Sequence, residues 1–400
     1  MITDTSKPDI TFRVNPKVVS NVFGYLSEKA DQLKEKVGKW LITIHLGKFT
    51  ALQLEAMFIA NPNVIVQGDV GTKLRAKGVL LNGTSPDLIK NEIFLSNICV
   101  GDILLIIPES KIGQFDTRQG KVVIINRDET IKIGEEIVFG DGDVVLECVN
   151  EFTFSVKETH RNDKEKRGLP AIIFSNHGIT EPAHLNNKGD ELFTPEDLAA
   201  LDVLAKYAEQ VSDIVISFIS RASHVIELHK TIKEKFESLG KAFPKITYKI
   251  EMKEAVRNLK DMLDKSKELG FVPNIVIGCG DLESQVKEYL GKGATNDEIS
   301  SQLEKDIEDI VKTVSENGIK ELSIAWGLGE DSDTTKKLRK IIILENKYKV
   351  KINYWLTKST IVKSEGAEVV RVLEGIVSQR TEVIKGLLLD VAGEVTKEGI

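Results

Sequence analysis

Short apolar runs alternate with longer amphipathic stretches in the first part of the chain. DITFRV (9–14), WLITIHL (40–46) and NVIVQGDVG (63–71) read as strands. The middle one is apolar on both faces, as a buried parallel strand is. Between them the spacing predicts helices over 17–37 and 51–60, the second with Thr50 as N-cap. Strand, helix, strand, helix, strand is the signature of an α/β unit.

The period then changes. From Lys73 to about Phe193 the apolar runs are short, β-branched and divided by Gly, Asp and Asn, as in GDILLIIP, GKVVIINRD and DGDVVLECV. Helical spacing is missing there except around Pro86 to Phe94. This stretch is expected to be an inserted all-β domain, a small barrel or sandwich.

The α/β alternation returns at TPEDLAALDVLAKYA, where Thr194 fits an N-cap, Pro195 the first helical position and Asp197 a capping box. Further strands are expected at 213–219, 245–251, 274–279, 321–326, 350–356 and 383–390, with helices over 222–239, 253–268, 335–346 and 366–378 and one ending at Gly318. Nine strand candidates lie outside the insert, against the eight of a (β/α)8 TIM barrel. The surplus one is taken to be 321–326, which lies in the longest spacing. The expected domains are 1–75 (barrel, first part), 76–190 (inserted β lid) and 191–400 (barrel, second part), with an extra segment around 282–335. An open doubly wound sheet is the alternative, but no glycine-rich dinucleotide turn supports it.

Composition narrows the function classes. With 41% hydrophobic and 29% charged residues the chain is globular. A net charge of -7 argues against nucleic acid or an anionic membrane as partner. Cys99, Cys148 and Cys279 form no CxxC pair, so neither a zinc site nor a disulfide framework is expected, and a reducing cytoplasm fits. The polar start MITDTSKPD has no signal-peptide character.

The candidate chemistry centres on KITYKIEMKEAV (245–256). Lys249 and Glu251 are two apart, so on a strand they point to one side, with Tyr248 and Ile250 to the other. An ammonium and a carboxylate side by side at a strand end suit either an exposed ion pair or a site.

Several stretches in order resemble pyruvate kinase. GDVGTKLRAKG (68–78) is similar to D-x-x-G-P-x-I-R-x-G, and GDGDVVLECV (140–149) to DDG-x-I-x-L-x-V. TPEDLAALDVLAKYAEQVSDIVISFISRASHV (194–225) is the most specific match, to T-E-K-D-x-x-D-L…V-D-x-V-A-x-S-F-[IV]-R-x-A-x-D-V. KITYKIEMKEAVRNLKDML resembles K-I-I-x-K-I-E-x-x-E-A-V-x-N-x-D-E-I-L, GCGDL (278–282) resembles A-R-G-D-L, and WLTKST (355–360) resembles A-T-Q-M-L. AWGLGED (325–331) also resembles A-R-G-D-L-G, so 274–281 and 321–329 compete for the sixth barrel strand. The first is preferred because it keeps the aspartate and lies nearer KIE.

The resemblance implies transfer of a phosphoryl group from phosphoenolpyruvate to ADP, giving pyruvate and ATP, with Mg2+ at the barrel mouth. It implies Glu251 and Asp281 as metal ligands on neighbouring strand ends. Lys249 would stabilise the phosphoryl group and the enolate. Thr357, after strand seven, would lie near proton delivery. The Gly280 and Asp281 amides would hold the substrate carboxylate, with Arg75 at the lid hinge. A homo-oligomer or association with an active pyruvate kinase subunit is a possible assembly. The chain stops soon after the last strand, so the family's C-terminal regulatory domain is expected to be missing.

Departures are equally specific. Where the family's second strand ends R-x-N-x-S-H-G this chain has Leu41 to Gly47, which removes the phosphate-clamping arginine and the residues of a K+ site. The arginine of A-R-G-D is Cys279, and SFIR ends in Ser220. The strand-three aspartate aligns with Gly68, and Asp69, one residue on, is expected on the opposite face. These losses keep open a degenerate paralogue that acts by binding. They also keep open another Mg2+-enolate reaction on an oxo acid.

Overall fold

The computed structural model describes residues 10–14, 27–28, 40–45, 51–71, 74, 76–80, 95–115, 121–126, 128–140, 142–161, 164–173, 178–182, 185, 192–291, 293–328, 332–356 and 375–385. It divides into two units, Met1–Leu46 with Thr50–Val70 and Pro195–Ile400, and Gly47–Phe49 with Gly71–Thr194.

The first unit is a closed parallel barrel. Its strands are β1 (Ile10–Val14), β2 (Trp40–His45), β3 (Val66–Val70), β13 (Val211–Ser217), β14 (Ile246–Ile250), β15 (Asn274–Gly278), β16 (Glu321–Ala325) and β17 (Lys351–Leu356). Each pairs in parallel with its neighbours, and β1–β17 closes the ring. Helices α1 (Ala51–Ala60), α2 (Pro195–Lys206), α3 (Ala222–Ser238), α4 (Lys253–Glu268), α5 (Cys279–Leu290), α6 (Asn296–Glu316) and α7 (Ser332–Tyr348) connect them. The expected (β/α)8 TIM barrel is thus the fold.

Alternation along each strand sorts side chains between lumen and outer layer. Tyr248 faces out and bonds Ser266 of α4 at 2.6 Å. Val215, Val276, Ala325 and Trp355 cluster inside. Beside them lies a buried polar chain. Thr43 donates to Gln67, Gln67 donates to Asp213 at 3.0 Å, and Thr247 also donates to Asp213. Burial pushes the Asp213 carboxyl up, against the pull of those donors.

Two strand assignments from sequence are corrected. Segment 321–325 is not peripheral but the seventh barrel strand, paired with both β15 and β17. Segment 274–278 is therefore the sixth, and the extra material between the sixth and seventh is a second helix, α6. That helix opens with a capping box, Thr295 with Glu298, and is followed by Gly318 at φ +79°. The surplus candidate is 383–390: its described residues, 383–385, end a helical segment over 375–385, with Ile376, Arg380 and Val383 buried at helical spacing, and 386–390 lie outside the described residues. The expected helices over 17–37 and 86–94 lie outside the described residues, apart from a helical pair at 27–28; of the one expected over 366–378, residues 366–374 lie outside them and 375–378 are helical.

The second unit holds β4 (Ala76–Leu80), β5 (Leu95–Ile98), β6 (Ile103–Pro108), β7 (Lys121–Ile125), β8 (Glu136–Phe139), β9 (Val144–Asn150), β10 (Thr153–Thr159), β11 (Ala171–Ile173) and β12 (Ile179–Glu181). Seven of them form one sheet in the order β12-β8-β9-β10-β6-β7-β4, and β11 pairs with β5. A buried cluster including Leu104, Val123, Phe139, Leu146 and Phe154 is its core.

Asp102 ties this unit's β5–β6 turn. Its carboxylate accepts from the Cys99 N–H at 2.9 Å and from Lys121 Nζ at 2.5 Å. The backbone donor first, and the lysine after it, hold the carboxyl below the usual range. A depressed folded value means stability that is present above the unfolded carboxyl pKa of about 4 and lost as pH falls through the folded value. Asp102→Asn is expected to cost the unit about 1 kcal/mol at pH 7. Urea unfolding of the two proteins should converge in strong acid.

Candidate active site

Lys249 and Glu251 both face the lumen at the C-terminal end of β14. They are nearly inaccessible, at 3% and 0% exposure, and form an ion pair. This excludes the exposed-pair reading. Glu251 Oε2 also accepts the Phe218 N–H at 3.3 Å. Phe218 follows β13 and sits at φ +58°, a left-handed conformation that costs a bulky residue about 1 kcal/mol or more. The twist is repaid in part by aiming this amide at the carboxylate.

A third charge belongs to the group. Asp69 is fully buried, with Oδ2 3.9 Å from Lys249 Nζ, and its Oδ1 accepts from Ser217 Oγ at 2.7 Å. The expectation that Asp69 faces away is wrong. Register explains why: Asp69 lies opposite Val215 of β13, which points into the lumen, and Ser217 lies opposite Lys249. Two carboxylates thus flank one ammonium in a low-dielectric interior, where their mutual attraction is strong and isolation of any one would be costly.

Strand β15 seats this group from the other side. The β14–β15 register runs Lys249–Val276 and Ile250–Ile277, so Gly278 falls beside Glu251. A Cβ built on Gly278 would come within 2.6 Å of Glu251 Cγ and 2.9 Å of Oε1. Gly278→Ala is expected to displace the carboxylate. Any Glu251-dependent turnover should fall at least tenfold and the fold should lose about 1–3 kcal/mol, measured by steady-state assay and urea unfolding.

The remaining sequence-predicted residues are placed less favourably. β15 ends at Gly278, so Asp281 is not at a strand end; it lies in the first turn of α5 and is half-buried. Gly280, in the same turn, is exposed. Thr357 follows the eighth strand rather than the seventh, which removes the positional basis of its expected role; its own placement, like that of Arg75, lies outside the described residues. Cys279 is buried, and burial pushes its thiol far up, which suits a packing residue rather than a nucleophile. Ser220 is fully buried, its N–H donating to His224 Nδ1 at 3.2 Å.

Comparison with known proteins agrees at the level of fold. The structure of pyruvate kinase from Pyrobaculum aerophilum matches with a TM-score of 0.51 and 14% identity, over 93% of this chain and 73% of that one. A citrate lyase from Burkholderia xenovorans (TM-score 0.36, 12% identity, 51% of this chain and 61% of that one) and RipC from Yersinia pestis (0.31, 11%, 45% and 72%) match over about half of this chain, at scores too low to carry an argument. No family model matches, and no curated protein matches by sequence. The class defined is a (β/α)8 barrel of pyruvate kinase-like architecture with an inserted β domain. Among the described residues no helix is long and apolar enough to cross a membrane.

Proposed function

We propose that this chain is a pyruvate kinase-like phosphotransferase acting on phosphoenolpyruvate and ADP. The observation that carries the reading is the buried Lys249–Glu251 pair at the C-terminal mouth of the barrel, where barrel enzymes place their chemistry. In the reaction the bond between phosphorus and the enol oxygen breaks and one to the terminal oxygen of ADP forms. The enolate left behind takes a proton at carbon to give pyruvate. Lys249 is the group suited to meet negative charge on the phosphoryl oxygens and the enolate, in a medium that screens it little.

Mg2+ is part of the proposal. Among the described residues no three His, Cys, Asp or Glu side chains are grouped to hold a metal. Mg2+ is, however, commonly bound through one or two carboxylates with water and substrate completing its shell. Glu251 and Asp281 would be those carboxylates. When bound, the cation would neutralise charge on the phosphate and orient it.

A second reading follows from the missing guanidinium groups. Leu41, Cys279 and Ser220 stand where the resemblance implies arginines, so an enolate reaction on an oxo acid without a phosphate clamp would use the same lysine. The test is a coupled pyruvate assay on the purified chain, with phosphoenolpyruvate and ADP and then with oxaloacetate, each with and without Mg2+. Mg2+-dependent pyruvate from the first mixture supports phosphoryl transfer, and from the second alone the other reaction. Pyruvate from neither supports a protein that acts by binding, for example to an active pyruvate kinase subunit.

A further inference from the structure

Helix α1 is apolar nearly all round: of its residues only Gln53 and Glu55 are polar. Leu54, Met57 and Phe58 are buried. A helix needs only one such stripe to pack on a barrel. Yet Leu52, Ala56, Ile59 and Ala60 are exposed, at the i, i+4, i+7, i+8 spacing of a single helical face. Leu52 is 78% and Ile59 65% exposed, and Ile65, between the helix and β3, is 45% exposed. Together they leave roughly 300 Å2 of apolar side chain in water, the scale of the largest patch on an ordinary monomer. Charge is scarce as well. From Ala51 to Gly68 the one charged residue is Glu55, where the chain's average of 29% would place about five. Glu55 is turned to the neighbouring helix, accepting from Lys206 and, at 3.4 Å, from the Tyr207 hydroxyl.

We infer that this face is the interface through which two copies of the chain pair, about a two-fold axis at Ala56. The pairing does not depend on the reaction proposed above. Each copy carries a net charge of -7, so self-association works against a like charge, and least at a face that brings no charges together. A charged partner would find nothing complementary on it. The lysines and arginines that flank a membrane-bound helix are missing from 51–68. The face also fits its own copy. A two-fold axis sets one patch against itself. With Ala56 on the axis and the helices antiparallel, Leu52 of one copy meets Ala60 of the other, large against small, and Gln53 lies against Ile59. The small side chain of Ala56 lets the two helices approach to about 8 Å. The area agrees. A stable interface buries about 800 Å2 per partner around a more apolar core. Leu52, Ile59 and Ile65 supply that core, and the exposed, uncharged Gln53, Pro62 and Asn63 suit its rim.

The test is sedimentation velocity on the full chain over a concentration series. The native chain should be a dimer that holds or tightens as sodium chloride rises, since salt screens the like net charges. Ala56→Glu and Ala56→Lys each change an exposed position and should keep native circular dichroism. Each should weaken the dimer at least a hundredfold, because the axis sets like charges face to face. An equal mixture of the two variants should recover the dimer, since the axis then pairs opposite charges. Val272→Glu, at an exposed apolar position before β15, should leave the dimer unchanged. A monomeric native chain overturns the inference and leaves the face to a different protein. A dimer that Ala56→Glu leaves intact, a mixture that stays monomeric, or an equal loss in Val272→Glu overturns it too. A dimer that follows this pattern in a protein without turnover would remove the phosphotransferase reading and leave the interface standing.

Discussion

Glu251→Gln is expected to lower Mg2+-dependent pyruvate formation by about a thousandfold or more, which corresponds to roughly 4 kcal/mol of transition-state stabilisation. The change is nearly isosteric, so the Phe218 N–H keeps an acceptor, but the charge facing Lys249 is gone. Asp69 remains 3.9 Å from the ammonium, so Lys249 is not left alone in the lumen. The cost to folding should therefore be the smaller effect, about 1–3 kcal/mol. Lys249→Met should reverse that balance. It leaves Asp69 and Glu251 buried together without their shared cation, and should cost about 3–5 kcal/mol. Parallel coupled assays and urea unfolding check both. Turnover of Glu251→Gln within tenfold of native would sink the assignment of Glu251, and a Lys249→Met protein more stable than Glu251→Gln would sink the account of the cluster.

The second large effect concerns the closing helical segment. Arg380 is 5% exposed, donates to the Tyr354 hydroxyl, and meets Glu345 of α7 at 2.9 Å. Glu345 Oε1 also accepts the Ile352 N–H at 2.9 Å. One carboxylate thus joins α7, β17 and the 375–385 segment. Arg380→Met is expected to cost the barrel about 3–5 kcal/mol, because Glu345 then keeps a buried charge without its guanidinium. The double variant Arg380→Met/Glu345→Leu should recover much of that loss, since apolar replacement of both partners removes the desolvation penalty. Urea midpoints of the two variants decide it, and a double variant no better than the single would show that the ion pair is not the cause.

Much of this was legible in the sequence because period-two alternation does not depend on context. Lys249 and Glu251 share a face in the chain as they do in the barrel. Motif alignment sets the family's aspartate against Gly68 and so hides Asp69, whose inward phase follows from the strand itself. In VQGDV, Gln67 and Asp69 are two apart, and both turn inward. The same phase brings Asp213 and Thr247 inward, so a polar residue repeated in step on successive apolar strands was the available signal. Segment 321–326 reads as surplus in the sequence because it lies in the longest spacing; its place in the barrel is set by pairing with β15 and β17, which the sequence does not show. The 383–390 run reads as a strand because a short apolar run has no clear period. Of it only 383–385 are described, and they end a helical segment whose burial at Ile376, Arg380 and Val383 is set by tertiary packing. The left-handed Phe218 has no local signature, since its amide is aimed by contact with Glu251 at the end of a neighbouring strand.

The Ser217–Asp69 hydrogen bond spans 148 positions of the chain and crosses the β3–β13 pairing. While the polypeptide is being synthesised, β3 is made long before β13. Through that interval its far edge has no partner, and Asp69 has neither Ser217 nor Lys249. Loop closure over such a distance is slow compared with local folding, which gives the intervening β unit time to form first. The charged centre therefore cannot assemble before β13 and β14 have been made, and until then the half-made barrel exposes an apolar strand edge that invites pairing with other nascent chains.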